Sequence, residues 1–129
     1  MSTPDPTPEI LVVDDDRELL EVLLVIFTEE GYHVTVATGG RDALARLRAG
    51  LRPSMILLDL MMPGMNGWAF REALLADPEL ARIPVVVLSG DHRSLTGDPP
   101  PAVSLCLPKP IDLSTLLDAV KESAATTRP

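Results

Sequence analysis

The sequence predicts a doubly wound α/β domain, in which a five-stranded parallel sheet carries helices on both faces. Three observations lead there. Short apolar runs rich in β-branched residues alternate with longer amphipathic segments, the order that parallel strands joined by crossover helices produce. Three of those runs are continuously apolar, as strands covered on both faces are. The length, 129 residues, suits one domain and is too short for two independent cores.

The first strand is expected over residues 10–13, followed by a helix over residues 17–30. Asp15 or Asp16 supplies the side-chain acceptor that the helix start needs, and Gly31 ends it. The second strand, 34–37, alternates with polar neighbours, and the second helix, 40–49, stops at Gly50. The third strand, 55–58, leads to a helix that begins after Asn66 and Gly67 and ends before Asp77 and Pro78, because proline cannot continue a helix and restricts the residue before it. The fourth strand covers 85–88 and the fifth 103–107. Between them, Gly97 and Pro99, Pro100 and Pro101 leave room for only about two turns over residues 91–96, so the fourth helix is expected to be short or absent. The last helix starts at Asp112, and Leu113, Leu116, Leu117 and Val120 repeat at three and four residues to form its core stripe.

The domain is expected over residues 8–123. Residues 1–7 and 124–129 are expected to be tails, since the first stretch places prolines among Ser, Thr and Asp and has little to bury. Hydrophobic residues make up 46% of the chain and aromatic ones 3%, so the core is expected to be aliphatic. The net charge of −8 opposes direct nucleic-acid binding, which draws on basic residues that displace counterions. Cys106 is the single cysteine, so no intrachain disulfide can form. No apolar stretch is long enough to span a bilayer and no signal segment opens the chain. A cytoplasmic protein without membrane contact is expected.

In a doubly wound sheet, the loops at the carboxyl ends of the strands converge on one rim, where ligands bind. Asp14, Asp15 and Asp16 follow strand one, Asp59 follows strand three, Ser89 strand four and Lys109 strand five. Clustered carboxylates repel, and a divalent cation relieves the repulsion. Magnesium suits this donor set, because zinc would seek His or Cys, and His33 and His92 stand near no other zinc ligand in sequence. Lys109 offers a mobile positive charge and Ser89 a hydroxyl donor to phosphate oxygens. Such a set suits phosphoryl transfer, with Asp59 as the carboxylate nucleophile.

Val12-Val13-Asp14-Asp15, Leu57-Leu58-Asp59 continuing through Met61, Met62 and Pro63 to Asn66-Gly67, Leu88-Ser89, and Pro108-Lys109-Pro110 together resemble the ordered signature of response-regulator receiver domains, in the single-domain form of the chemotaxis regulators. The resemblance implies a flavodoxin-like sheet of order 2-1-3-4-5. It implies that Asp59 accepts a phosphoryl group from the phosphohistidine of a sensor histidine kinase or phosphotransfer protein. It further implies that Asp15, Asp59 and the Met61 carbonyl bind magnesium, that Asp14 acts through water, and that Lys109-Pro110 is a cis peptide. A downstream protein, not named by the sequence, would read the resulting change of surface.

Plainer roles stand beside these. Asp16 reads as a helix cap or surface charge, Met61, Met62 and Met65 as packing residues, Cys106 as a buried strand thiol, and the two histidines as surface residues. Two departures from the family bear on output. Cys106 occupies the place where the family usually carries Tyr or Phe, and the prolines alter the segment before strand five. The change on phosphorylation is therefore expected in the loop over residues 89–101. Three functions compete: a phosphoacceptor signalling module that is not itself an enzyme, a degenerate receiver that binds partners without phosphorylation, and a small phosphatase of the haloacid-dehalogenase type using Asp14 and Asp16.

Overall fold

The computed structural model describes residues 8–60, 62, 64–89, 105–108 and 112–125. The strands are β1 (Glu9–Val13), β2 (His33–Ala37), β3 (Met55–Asp59), β4 (Val85–Ser89) and β5 (Leu105–Pro108). The helices are α1 (Arg17–Glu29), α2 (Gly40–Arg48), α3 (Gly67–Leu75) and α4 (Leu113–Ala125). All strand pairs are parallel and the order is β2-β1-β3-β4-β5, as the resemblance implies. The last helix runs to Ala125, beyond the expected domain end. The segment expected to hold a short fourth helix lies outside the described residues.

The apolar runs are continuous because successive side chains enter different cores. Leu11, Val13, Ile56, Leu58, Val85 and Val87 join Ala43, Leu44 and Leu47 of α2 and Phe70 and Leu74 of α3. Ile10, Val12, Leu57, Val86 and Leu88 join Leu20, Leu23 and Phe27 of α1 and Leu116, Ala119 and Val120 of α4. A strand side chain alternates between faces at every residue, so two covered faces demand apolar residues at every position. The half-polar strand, β2, is an edge and is only partly buried.

Helix ends obey local chemistry. After α1, Gly31 adopts φ +93°, its N–H donates to the Thr28 carbonyl and that of Tyr32 to the Phe27 carbonyl, both at 3.0 Å. This paired motif satisfies terminal carbonyls that the helix leaves open, and the Phe27 and Tyr32 rings meet edge to face with centroids 6.2 Å apart. Gly31→Ala is expected to lower stability by about 1–2 kcal/mol, since a Cβ is strained at this φ; an unchanged denaturation midpoint would contradict it.

Candidate functional site

Register determines which acids can meet. Val13 pairs with Leu58 across β1 and β3, so the residues that follow, Asp14 and Asp59, stand level at the carboxyl rim of two central strands. β4 ends at Ser89, which is level with Pro108, the last residue of β5. Hence Asp59 and Ser89 belong to one rim of the sheet, where β5 also ends. The Ser89 side chain, Lys109 and Met61 lie outside the described residues, as does the Lys109-Pro110 peptide.

One carboxylate oxygen from each of Asp14, Asp15 and Asp59 lies within 4.8 Å of those of the other two. Asp14 is 1% exposed and Asp59 5%, while Asp15 is open to solvent. Two unit charges at such a separation repel by about 3 kcal/mol at an effective dielectric of about 20, which a cation among them would reverse. The donors are all carboxylate oxygens, two of them withdrawn from water and one reachable from it. That set matches a hard divalent cation that keeps some of its waters, as magnesium does, and offers none of the nitrogen or sulfur that zinc prefers.

Backbone contacts hold these acids in place. The Asp14 N–H donates to the Ala37 carbonyl at the end of β2 (3.1 Å), and the Leu60 N–H donates to the Leu88 carbonyl of β4 (3.2 Å). Beyond the strand, Asn66 Oδ1 accepts the Ala69 N–H at 2.9 Å and caps α3. The Gly67 N–H turns back to the Leu60 carbonyl at 2.9 Å. A Cβ built on Gly67 would stand 2.6 Å from Leu60 Cδ2 and 2.8 Å from Leu60 Cα. The first turn of α3 therefore rests directly on the chain leaving Asp59, a closeness that only glycine permits.

Asp16 does not join the acid trio. Its carboxylate accepts the Leu19 N–H at 3.2 Å as the N-cap of α1, which bears out the plainer reading of that residue. Met62 and Met65 pack against the α2 and α3 core, also as packing residues. Arg71 was not singled out by sequence, yet it is only 2% exposed, and burial lowers its pKa from the ordinary arginine value. Gly67, Phe70, Arg71 and Leu74 form the buried stripe of α3; position 71 thus falls on the inward side by helical spacing, the signal that could have found it.

A family model for the response regulator receiver domain matches residues 10–121. Over 80 residues, 62% of this chain, the sequence is 45% identical to the DNA-binding response regulator MtrA of Mycolicibacterium paratuberculosis and 44% identical to the response regulator PleD of Caulobacter vibrioides. Those matches cover 34% and 17% of the two relatives, so the chain corresponds to about a third or less of their length. The signal receiver domain of a histidine kinase from Syntrophus aciditrophicus superposes with TM-score 0.81 at 31% identity, covering 93% of this chain and 92% of that one. The response regulator TrrA of Thermotoga maritima, in complex with Mg(2+)-BeF, also gives TM-score 0.81, at 25% identity, covering 91% of this chain and 99% of that one.

Proposed function

The chain belongs to the response regulator receiver domain family, and from that premise we propose that Asp59 accepts a phosphoryl group in a magnesium-dependent reaction. The observation that carries the reading is the convergence of Asp14, Asp15 and Asp59 at the ends of β1 and β3. A carboxylate oxygen of Asp59 forms a P–O bond while the P–N bond to a donor phosphohistidine breaks, and the electron pair leaves with the histidine nitrogen. By resemblance to the family, Asp15, Asp59 and the Met61 carbonyl would hold magnesium, and Asp14 would act through water. The bound ion supplies positive charge that offsets the acids and the incoming phosphoryl oxygens. Ser89 donates its hydroxyl and Lys109 its ammonium to those same oxygens.

The donor is a sensor histidine kinase or phosphotransfer protein, and the phosphorylated surface is read by a downstream protein. The chain then acts as a signalling module rather than as an enzyme with turnover of its own. Membership of the receiver family supports a cytoplasmic site of action; among the described residues no helix is long and apolar enough to cross a membrane. Direct nucleic-acid binding is disfavoured by the charge of −8, although the relative MtrA is a DNA-binding response regulator, of which this chain matches 34%. The phosphatase reading needs Asp16 beside Asp14, and the capping role of Asp16 at α1 argues against it.

Intact-mass analysis after incubation with a small phosphodonor and magnesium tests the reading: one phosphoryl group is expected. None at saturating magnesium would favour a receiver that binds partners without phosphorylation. Asp15→Ala is expected to weaken magnesium by about tenfold or more, since a site with one or two direct carboxylates loses one of them. Calorimetric titration giving equal affinity would remove Asp15 from the metal set. Met61 stands where hydrolytic water approaches in the family, and a thioether cannot orient water as an amide can. The native aspartyl phosphate is therefore expected to outlive that of Met61→Asn in a decay time course, and an equal or shorter lifetime would refute that role.

A further inference from the structure

We infer that Asp16 is a positioning residue for the acidic site, acting through Asp14 rather than on the cation. The inference rests on the reading of Asp14, Asp15 and Asp59 as a magnesium site. The Asp16 side chain and backbone face opposite ways in the hydrogen-bond sequence. Its carboxylate accepts the Leu19 N–H at 3.2 Å, which ties the residue to the first turn of α1. Its own N–H donates to Asp14 Oδ1 at 2.9 Å, which orients the buried acid. Asp14 is in turn tied through its N–H to the Ala37 carbonyl of β2. A continuous path therefore runs from the edge of the sheet through Asp14 and Asp16 into the helix.

The consequence is that the orientation of Asp14 depends on how well α1 is capped. The Asp16 backbone sits in an extended conformation, φ −84° and ψ 100°, that a cap residue adopts and a helical residue does not. Without a side-chain acceptor, the first turn of α1 frays, and the Asp16 N–H samples directions away from Asp14 Oδ1. The acid then loses a donor that holds it toward Asp15 and Asp59. Asp14, Asp15 and Asp16 are chemically identical and adjacent, yet two of them join Asp59 at the rim and the third orients Asp14 from the start of α1.

Charge and geometry separate in a comparison of two neutral variants. Asp16→Asn keeps a cap of equal quality, whereas Asp16→Ala removes it, and both lose the same charge. Magnesium affinity, titrated by calorimetry well below the melting temperature of each variant, is expected to be about fivefold weaker in Asp16→Ala than in Asp16→Asn, the equivalent of about 1 kcal/mol. Asp16→Ser should behave as Asp16→Asn does, a rescue that mere loss of the aspartate could not produce. The Asp16 amide should also exchange its hydrogen faster in the alanine variant than in the asparagine variant, with no ion present. Equal magnesium affinity in the alanine and asparagine variants would overturn the inference, even if the alanine variant melts lower. Failure of the native chain to bind magnesium would instead bring down the acidic-site reading, and this inference with it.

Discussion

Asp59→Asn is expected to abolish phosphorylation, with intact mass unchanged after incubation with phosphodonor and magnesium while the native chain gains one phosphoryl group. Asparagine keeps the shape of the side chain but replaces a charged oxygen by a neutral amide, which is too weak a nucleophile to open the bond to phosphorus. The substitution also removes one of three mutually close carboxylates, so magnesium affinity should fall. Stability without the ion should hold or rise, because repulsion at the rim is relieved. Loss of labelling together with a collapsed fold would leave chemistry and structure entangled, and retention of the denaturation midpoint therefore belongs to the expected result. A variant that still takes one phosphoryl group would sink the assignment of Asp59. Mapping that group to Asp14 would revive the phosphatase reading.

The second large effect is expected at Gly67. Replacing it with alanine should destabilise the chain by about 1–3 kcal/mol, the usual range for overpacking, and should also weaken magnesium binding and slow phosphorylation. The reason is which atoms stand in the way. A Cβ at 67 would meet Leu60 Cα at 2.8 Å and the Asp59 carbonyl oxygen at 3.4 Å, in addition to Leu60 Cδ2. A side-chain tip can turn aside, but the backbone that carries Asp59 must shift as a unit. Gly40 provides the contrast, since the nearest atoms to a Cβ there belong to the Met65 side chain, with Cγ and Sδ at 3.0 Å, and methionine adapts. Gly40→Ala should therefore cost less and leave magnesium affinity near that of the native chain. Chemical denaturation and magnesium titration of both variants check this, and equal losses at the two glycines would show that the backbone contact at Gly67 has no special bearing on the site.

The fold was legible where periodicity and burial agree. Continuous apolar runs at β1, β3 and β4 announced strands covered on both faces, and each enters two cores by alternation. The run at β2 alternates with polar neighbours, unlike the central runs, and this strand lies at the edge of the sheet. Gly31 and Gly50 marked helix ends because a left-handed residue is the economical way to satisfy the last carbonyls, and both take positive φ. Arg71 was not legible from residue type, since a guanidinium ordinarily stays in water. Only its place on the stripe with Gly67, Phe70 and Leu74 shows that packing overrides that preference.

By itself, the sequence determined the succession of strands and helices and brought acids to the ends of β1 and β3, because hydrophobic period and strand-end position are local properties of the chain. Three neighbouring aspartates look alike in one dimension, however, and their roles separate only in three. The level register of β1 with β3 brings Asp14 and Asp15 to Asp59, while the start of α1 draws Asp16 onto the Leu19 N–H. The closeness of α3 to Leu60 at Gly67 was likewise decided by tertiary packing, since no local pattern records how near two segments must lie. Hydrogen bonds and steric contacts act between groups brought together by the whole fold, and at this rim they set chemically identical residues in different surroundings.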